Sequence, residues 1–341
     1  MGKEPVILFG AGKIGKQCAQ MLRFDKEILF FIDNDSKKWG GTSHFTVYPV
    51  EHAKAYPDIR IIITMLDFAP AVMQLETMGL HSYVYFEDLY AWQLNCPSRQ
   101  IMDQHIAERS IGQYTGRDVK NAWMNHMRWH YQDSSFEPLF VAGKKYLDMG
   151  CGCGTSLFHA LLLGVDGYGL DCCQWKADFC KQKIDDFSFP QEWKKRFVWG
   201  YGEQLPFKDR FFDVVTCWYV LEHVTDWKAC LREMVRVTRQ GGVILLNAPD
   251  YRNTYEEHYG LDNGLSIVDH LEEWRTYLTE QHESLEIFDT LNFITKDMVL
   301  AELGNLPVKI FDREGDRVQV HRVKGKLRIH RRIDLVITVA S

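Results

Sequence analysis

Two carboxylates bracket three glycines between Lys145 and Asp171, in the run KYLDMGCGCGTSLFHALLLGVDGYGLD. Asp148 precedes Gly150, Gly152 and Gly154, and Asp171 closes the segment. Glycine lets a backbone turn sharply and approach a ligand where a Cβ would clash. An acid one strand further on can accept from both hydroxyls of a ribose. The arrangement suits a nucleotide-like ligand. A second version stands at the amino end, where Gly10-Ala11-Gly12-Lys13-Ile14-Gly15 is followed by Asp33. That is a dinucleotide-type fingerprint with an acid about twenty residues on.

Proton transfer needs other side chains. Histidine titrates near 6.5, close to a working pH. His223, in Leu221-Glu222-His223-Val224, is the first candidate for a general base, and His258 is the second. His258 belongs to APDYRNTYEEHYG, where Tyr251, Arg252, Tyr255, Glu257 and Tyr259 cluster with it. We expect exposed tyrosines and an arginine at the mouth of a pocket, suited to a polar ring, a sugar or a phosphate. Cys151, Cys153, Cys172 and Cys173 sit in two loops that should converge, and four thiolates suffice for a closed zinc site. Cys-x-Cys and adjacent Cys-Cys hold few good tetrahedral geometries. They are read as small packing residues, and no metal is expected. His126 and His130 share a helical face but have no obvious third ligand nearby.

Alternating strands and helices must position these groups. Tyr146 and Leu147 form a strand into Asp148, Thr155 to Leu163 reads as a helix, and Gly167 to Leu170 as the next strand. Arg196 to Gly200, Phe212 to Cys217 and Val243 to Leu246 read as the third, fourth and fifth strands. Asp226 can cap a helix from Trp227 to Thr238, ended by Gly241-Gly242. Ser266 to Glu283 reads as an amphipathic helix, and Lys296 to Leu303 as a helix stopped by Gly304. Strands follow near Val308 to Phe311, Arg317 to Val323 and Asp334 to Val339. Ligands of a doubly wound sheet bind outside the carboxyl ends of its strands, which brings Trp218 and Tyr219 to the same place.

In this order the motifs resemble those of the class I S-adenosylmethionine (SAM) methyltransferases, over about Gly143 to Ser341. The family's first motif stands as Asp148, Gly150, Gly152 and Gly154, and its ribose-binding acid matches Asp171. Gly200 to Asp213, Tyr219 to Trp227 and Arg232 to Asn247 resemble its following motifs. The resemblance implies a seven-stranded sheet with an antiparallel last strand. It implies SAM as cofactor, held by Asp148, Gly150, Gly152, Gly154, Asp171, Cys172, Tyr201, Gly202, Glu203 and Trp218. Many members have an aspartate where Tyr201 stands; here Tyr201 would stack on or edge the purine. The implied reaction is methyl transfer to oxygen or nitrogen of a small polar metabolite, a sugar or a nucleotide-linked acceptor, with His223, His258 and Tyr251 as catalytic candidates.

Residues 1–88 read as a small Rossmann-like domain with a second nucleotide site at Gly10, Gly12, Gly15 and Asp33. The stretch FFIDNDSKKWGG resembles small domains attached to enzymes of sugar and surface-polysaccharide modification. A nicotinamide-dependent oxidoreductase is an alternative, but some ninety residues supply only one mononucleotide half. A non-catalytic SAM-binding protein is a third reading. Residues 89–142 read as a helical connector or lid, with aromatics dense from Asn121 to Tyr131. The expected fold class is α/β, with two doubly wound domains, the second spanning 143–341.

Composition limits the partners. The chain has 341 residues, 40 basic and 46 acidic, for a net charge of −6. That gives no global pull toward nucleic acid or anionic membrane. No apolar run reaches the ~20 residues that span a bilayer. The amino end runs straight into a strand, so no cleaved signal peptide is expected. Nine cysteines, an odd number, fit reduced thiols in the cytoplasm. The expected partner is a small-molecule substrate, with a homodimer allowed.

Overall fold

A computed structural model describes residues 2–41, 45–89, 96–109, 138–314, 319–323 and 326–340. The chain divides into two units. The first comprises Met1–Ser110, Gly116–His130 and Asp178–Lys195; the second comprises Ile111–Thr115, Tyr131–Ala177 and Arg196–Ser341. Asp178–Lys195 therefore groups with the first unit. The aromatic run Asn121 to Tyr131, with His126 and His130, lies outside the described residues.

In the first unit, strands β1 (Glu4–Phe9), β2 (Lys26–Ile32), β3 (Gly40–Gly41), β4 (Thr46–Tyr48), β5 (Arg60–Ile63) and β6 (Tyr83–Tyr85) form one sheet. Its order is β3-β4-β2-β1-β5-β6. Pairing is parallel except between β3 and β4. Helices α1 (Lys13–Leu22), α2 (Ala69–Thr77), α3 (Phe86–Leu89) and α4 (Pro97–Arg109) belong here too. Val6, Ile7, Leu8, Ile61, Ile62 and Ile63 are all buried. Continuous apolar runs of this kind suit parallel strands covered on both faces. Gly15 lets α1 begin against the end of β1: a Cβ there would strike the carbonyl oxygen of Gly10.

The second unit holds β7 (Lys145–Met149), α5 (Thr155–Leu162), β8 (Asp166–Asp171), the start of α6 (Gln174–Asp186), β9 (Phe197–Trp199), β10 (Phe212–Trp218), α7 (Trp227–Val237) and β11 (Thr238–Pro249). Short strands β12 (Tyr255–Glu256) and β13 (Leu261–Asp262) follow, then α8 (Leu271–Glu280) and α9 (Lys296–Leu303). The chain ends with β14 (Val308–Asp312), β15 (Gln319–Val323), β16 (Lys326–His330) and β17 (Arg332–Val339). Seven strands form one sheet in the order β14-β17-β11-β10-β7-β8-β9. β17 runs antiparallel to both of its neighbours, as expected for the last strand.

Helix α7 shows why the sequence folds so locally. Asp226 Oδ1 accepts from the amides of Lys228 and Ala229, satisfying donors that a helix start leaves open. Trp227, Cys230, Leu231, Met234, Val235 and Val237 are buried. Each large apolar side chain so buried contributes roughly 1.5–3 kcal/mol. The fifth strand departs from expectation. It starts at Thr238, directly after α7, and Gly241-Gly242 lies inside it. The Thr238 hydroxyl donates to the Met234 carbonyl at 2.7 Å and ends the helix. The register with β10 then jumps from Phe212↔Thr238 to Val214↔Val243, and Gly241 takes up the bend with φ of +69°. The expected helix from Ser266 is shorter too. Ser266 Oγ donates to Asp269 at 2.7 Å and holds a turn before Leu271.

Among the described residues no helix is long and apolar enough to cross a membrane. All nine cysteines are free thiols.

Candidate functional site

Everything in the site belongs to the second unit. The turn after β7 carries three left-handed glycines, with φ of +75° at Gly150, +54° at Gly152 and +76° at Gly154. The three differ in surroundings. A Cβ on Gly150 would collide with Val220, whereas one on Gly152 meets nothing within 4 Å. Gly152 therefore faces open space, and Gly154 caps α5. The amides of Gly150 and Cys151 donate to the Leu170 carbonyl at 2.8 and 3.0 Å. Asp171, at the end of β8, accepts from the Gly152 amide and from the Cys173 amide, both at 2.9 Å, with Lys176 Nζ at 3.5 Å. A carboxylate offers about four lone-pair sites, so Asp171 keeps capacity for a further donor.

Asp148 is placed differently. It is buried between β7 and β10, where Thr216 Oγ1 donates to it at 2.8 Å. Burial pushes its carboxyl up to about 7, against the pull of the Thr216 and Tyr146 hydroxyls, with the Asp171 charge adding to the rise. Its hydrogen bond with Thr216 ties β7 to β10.

An open pocket of about 360 Å³ is lined by Trp199, Gly200, Tyr201, Glu203, Gln204, Pro206 and Thr225. Small-molecule pockets run to ~300–1,000 Å³. Tyr201 is exposed, with its ring 5.8 Å from that of Trp199 and edge-on to it. Trp199 Nε1 donates to the Cys172 carbonyl at 3.0 Å, which ties this pocket to the loop after Asp171. The Glu203 carboxylate accepts from the amides of Thr225 and Asp226 at 2.8 and 3.2 Å. Gly202 points inward: a Cβ there would stand 2.9 Å from Cys230 Sγ. Of this expected trio, Tyr201 and Glu203 line the pocket and Gly202 packs the core beneath it.

Donor atoms of Asp171, Cys172 and Cys173 lie within 4.8 Å of one another. Cys151 and Cys153 are not in that group. Three adjacent residues, one already holding two amides, make a poor tetrahedral set.

The carboxyl ends of β10 and β11 carry the second half of the site. Trp218 ends β10 opposite Asn247. Tyr219 follows in the left-handed region at φ of +55°, a conformation that costs a non-glycine residue of order 1–3 kcal/mol and clusters at functional sites. The amide of Tyr219 donates to the Asn247 carbonyl at 2.8 Å and holds the bend. The next turn presents His223. Across from it, the segment between β12 and β13 presents His258, and the two Nε2 atoms are 3.2 Å apart. The two histidines that sequence offered as alternatives are thus neighbours. His258 Nδ1 stands 2.7 Å from Glu256 Oε1, and Glu256 Oε2 accepts from the Tyr259 amide at 3.0 Å. Burial lowers His223 to about 4, helped by the charges of His258 and Lys176. Burial also works against a charged His258, but the hydrogen bond and charge of Glu256, with Glu222 and Glu257 adding, raise it overall.

Glu222 and Glu256 went unnoticed in the sequence, and both are about 1 % exposed. Glu256 had only its nearness in sequence, two residues before His258; the pair meets because the chain turns directly after Glu256, whose carbonyl accepts from the Gly260 amide at 2.9 Å. Glu222 had none beyond adjacency to His223. Its Oε2, the Tyr251 hydroxyl and Asn247 Oδ1 are buried without a hydrogen-bond partner among the described residues. Burial pushes the Glu222 carboxyl up to about 7.

The expected mouth of exposed polar aromatics is corrected. Tyr251 and Tyr259 are buried. Tyr251 is pinned by its own backbone, which donates to Ile294 at 3.0 Å and accepts from Val268 at 2.9 Å, and its ring packs edge-on against Phe293. The Tyr259 hydroxyl donates to the Ser284 carbonyl at 2.7 Å. Arg252 grips the fully buried Asp250 through Nε and Nη2 and reaches Asp297 at 3.0 Å. A guanidinium engaged by two carboxylates is a structural tie, not an open phosphate clamp.

Comparison with known proteins bears on the first half of the site. Residues 147–246 match a family model described as a methyltransferase domain. The demethylmenaquinone methyltransferase of Geobacillus stearothermophilus is 32% identical over 149 residues, 43% of this chain and 62% of that protein. The demethylmenaquinone methyltransferase of Geobacillus sp. strain WCH70 is 28% identical over 151 residues, 43% of this chain and 63% of that protein. The match thus spans about three-fifths of the length of these curated relatives. The crystal structure of the YcgJ protein from Bacillus subtilis superposes with a TM-score of 0.42 at 17% identity, covering 62% of this chain and all of that one, a likeness too loose to bear on function. Residues 147–246 match a methyltransferase domain, the kind of domain for which the sequence resemblance implies SAM as cofactor. The residues present fit that cofactor: Gly152 opens onto free space, Asp171 keeps capacity for a further donor, and a pocket lies beside Tyr201.

Proposed function

We propose that this protein is a SAM-dependent methyltransferase acting on a small polar acceptor held over the carboxyl ends of β10 and β11. One observation carries the reading: the hydrogen bond from the Gly152 amide to Asp171 fuses the open glycine turn and the acid into one cradle, with the Tyr201 pocket alongside. Gly152 would border the methionine part, Asp171 would accept from a ribose hydroxyl, and Tyr201 with Trp199 would border the adenine. Bound there, SAM supplies an electrophilic methyl group whose bonding pair leaves with sulfur. The chain aligns the acceptor and excludes water, and alignment alone contributes roughly 7–11 kcal/mol.

The acceptor we take to be a sugar or nucleotide-linked metabolite. Support is the company of Tyr219, Glu257 and the two histidines near the β10 turn. A demethylated quinone, as the relatives' names state for them, is the competing acceptor. The residues that would choose, 248–293, lie wholly outside the stretch that the family model matches. Calorimetry with SAM and with NADH tests the reading. We expect SAM to bind; NADH binding without SAM binding would reverse the choice.

A second site in the first unit is a further proposal. Asp33 accepts from the Ala11 amide at 2.7 Å and from Lys38 Nζ at 3.0 Å, and Gly12 has open space where a Cβ would be. This resembles the cradle at Asp171 and supports nucleotide recognition there, with Gly10 and Gly15 shaping the turn. Titration with nucleoside diphosphates, with and without Asp33→Ala, is the check.

A further inference from the structure

We propose that Glu256, His258 and His223 form a single proton relay whose outer end, Nδ1 of His223, takes the proton of a hydroxyl acceptor, so that the methylated atom is oxygen. This rests on the methyltransferase reading above and adds the acceptor class.

The relay follows from three contacts and the valence of each group. The Glu256 carboxylate only accepts, so the 2.7 Å contact makes His258 Nδ1 the donor. In neutral His258 the other nitrogen, Nε2, is then an acceptor. It lies 3.2 Å from Nε2 of His223, which must donate. Neutral His223 with its hydrogen on Nε2 has a bare lone pair on Nδ1. Exposure rises along the chain of contacts, from 1 % for the Glu256 side chain to 23 % for His258 and 44 % for His223. The inner end is buried and the outer end meets solvent, where an acceptor would lie.

When the acceptor oxygen attacks, its O–H bond breaks and the proton bonds to His223 Nδ1. The oxygen keeps the pair for its new bond to carbon. The Nε2 hydrogen of His223 moves to His258 Nε2, leaving His223 neutral in the other tautomer and His258 as an imidazolium beside Glu256. The environment supports that end state. Glu256, Glu222 and Glu257 favour a charged His258, while His258 and Lys176 disfavour charge on His223. A base of this kind is worth about 10²–10⁴ in rate for a group that must lose its proton as it attacks. An amine attacks through a lone pair it already has, and needs no such relay at that step.

The test begins without cofactor, on the full chain labelled with ¹⁵N-histidine. Long-range ¹H–¹⁵N spectra across pH should show His223 carrying its hydrogen on Nε2 above the His258 midpoint and on Nδ1 below it. One histidine would change tautomer when the other gains a proton. In Glu256→Gln the proton affinity of His258 should fall at least tenfold; in His258→Asn, which keeps the fold test independent of Glu256, the switch in His223 should vanish. A single His223 tautomer throughout overturns the relay. A second arm offers SAM with alcohols, phenols and primary amines. Methylation of a hydroxyl, reduced about 100-fold in His258→Asn, supports the assignment. Methylation of amines alone, with the tautomer switch intact, overturns the acceptor class. Failure to bind SAM while the switch persists removes the methyltransferase reading and leaves the relay standing.

Discussion

Oδ2 of Asp171 accepts a 2.9 Å hydrogen bond from the amide of Gly152, across nineteen residues of chain. The acid therefore builds the turn as well as facing the ligand. Asp171→Ala should weaken SAM binding at least tenfold, because a hydrogen bond to a charged group contributes ~1.5–3 kcal/mol. It should also lower the unfolding midpoint, since two amides lose their acceptor. Asp171→Asn can still accept one amide, so it should keep more of the stability than of the affinity. Calorimetry and thermal unfolding on both variants read this out, and unchanged SAM affinity in Asp171→Ala would take the residue out of the pocket.

The glycines of the turn should separate stability from binding. Gly150→Ala places a methyl against Val220 at a positive φ, so loss of folded protein is expected. Gly152→Ala meets nothing and carries only the left-handed strain of ~1–2 kcal/mol. It should fold, yet bind SAM weakly because its methyl occupies the space the ligand needs. If Gly152→Ala binds SAM like the parent, the cradle is not where SAM sits.

How far this could be read from residues alone varies with the range of the interaction. Tyr146 to Asp171 is strand, turn, helix and strand in immediate succession, and each signal is local: apolar runs, alternate glycines, a closing acid. The His223–His258 contact joins residues 35 apart in sequence and depends on the insert after β11 folding back. Asn292 anchors that return, its amide donating to the Glu222 carbonyl at 2.8 Å and its side chain to Leu221 at 3.1 Å. No periodicity encodes such a closure. Tyr251 misled for the opposite reason: a tyrosine beside charged residues reads as surface, but its backbone is stitched to Ile294 and Val268. Arg252 read as open at a pocket mouth, but the buried Asp250 two residues before it holds its guanidinium.

Glu222 makes stability depend on pH. Its folded carboxyl, raised by burial to about 7, holds its proton more tightly than the unfolded one, which titrates near 4.3. Its contribution is fully present below that unfolded value and is lost as pH rises through about 7, a change on the order of 4 kcal/mol. Glu222→Gln keeps the shape and removes the titration. It should therefore be more stable than the parent at pH 8 and no more stable at pH 4. Urea unfolding at the two values decides; an equal difference at both would mean that the proton is not what matters.

Gly15 in the first unit tests whether the amino-terminal turn is as tight as its contacts require. Alanine at an exposed helical position normally gains ~1 kcal/mol over glycine. Here the added Cβ would strike the Gly10 carbonyl oxygen and come within 2.8 Å of Thr64 Oγ1. That threonine donates to the carbonyls of Phe9 and Gly10 at 2.9 and 3.0 Å, so it has no room to yield, and backbone yields less. Gly15→Ala should destabilise the chain by ~1–3 kcal/mol through overpacking, reversing the usual sign. Gly12→Ala, with open space around it and an extended φ of −79°, should leave the unfolding midpoint nearly unchanged. If Gly15→Ala proves neutral or stabilising in the same measurement, α1 does not start hard against β1 and the turn is looser than its geometry.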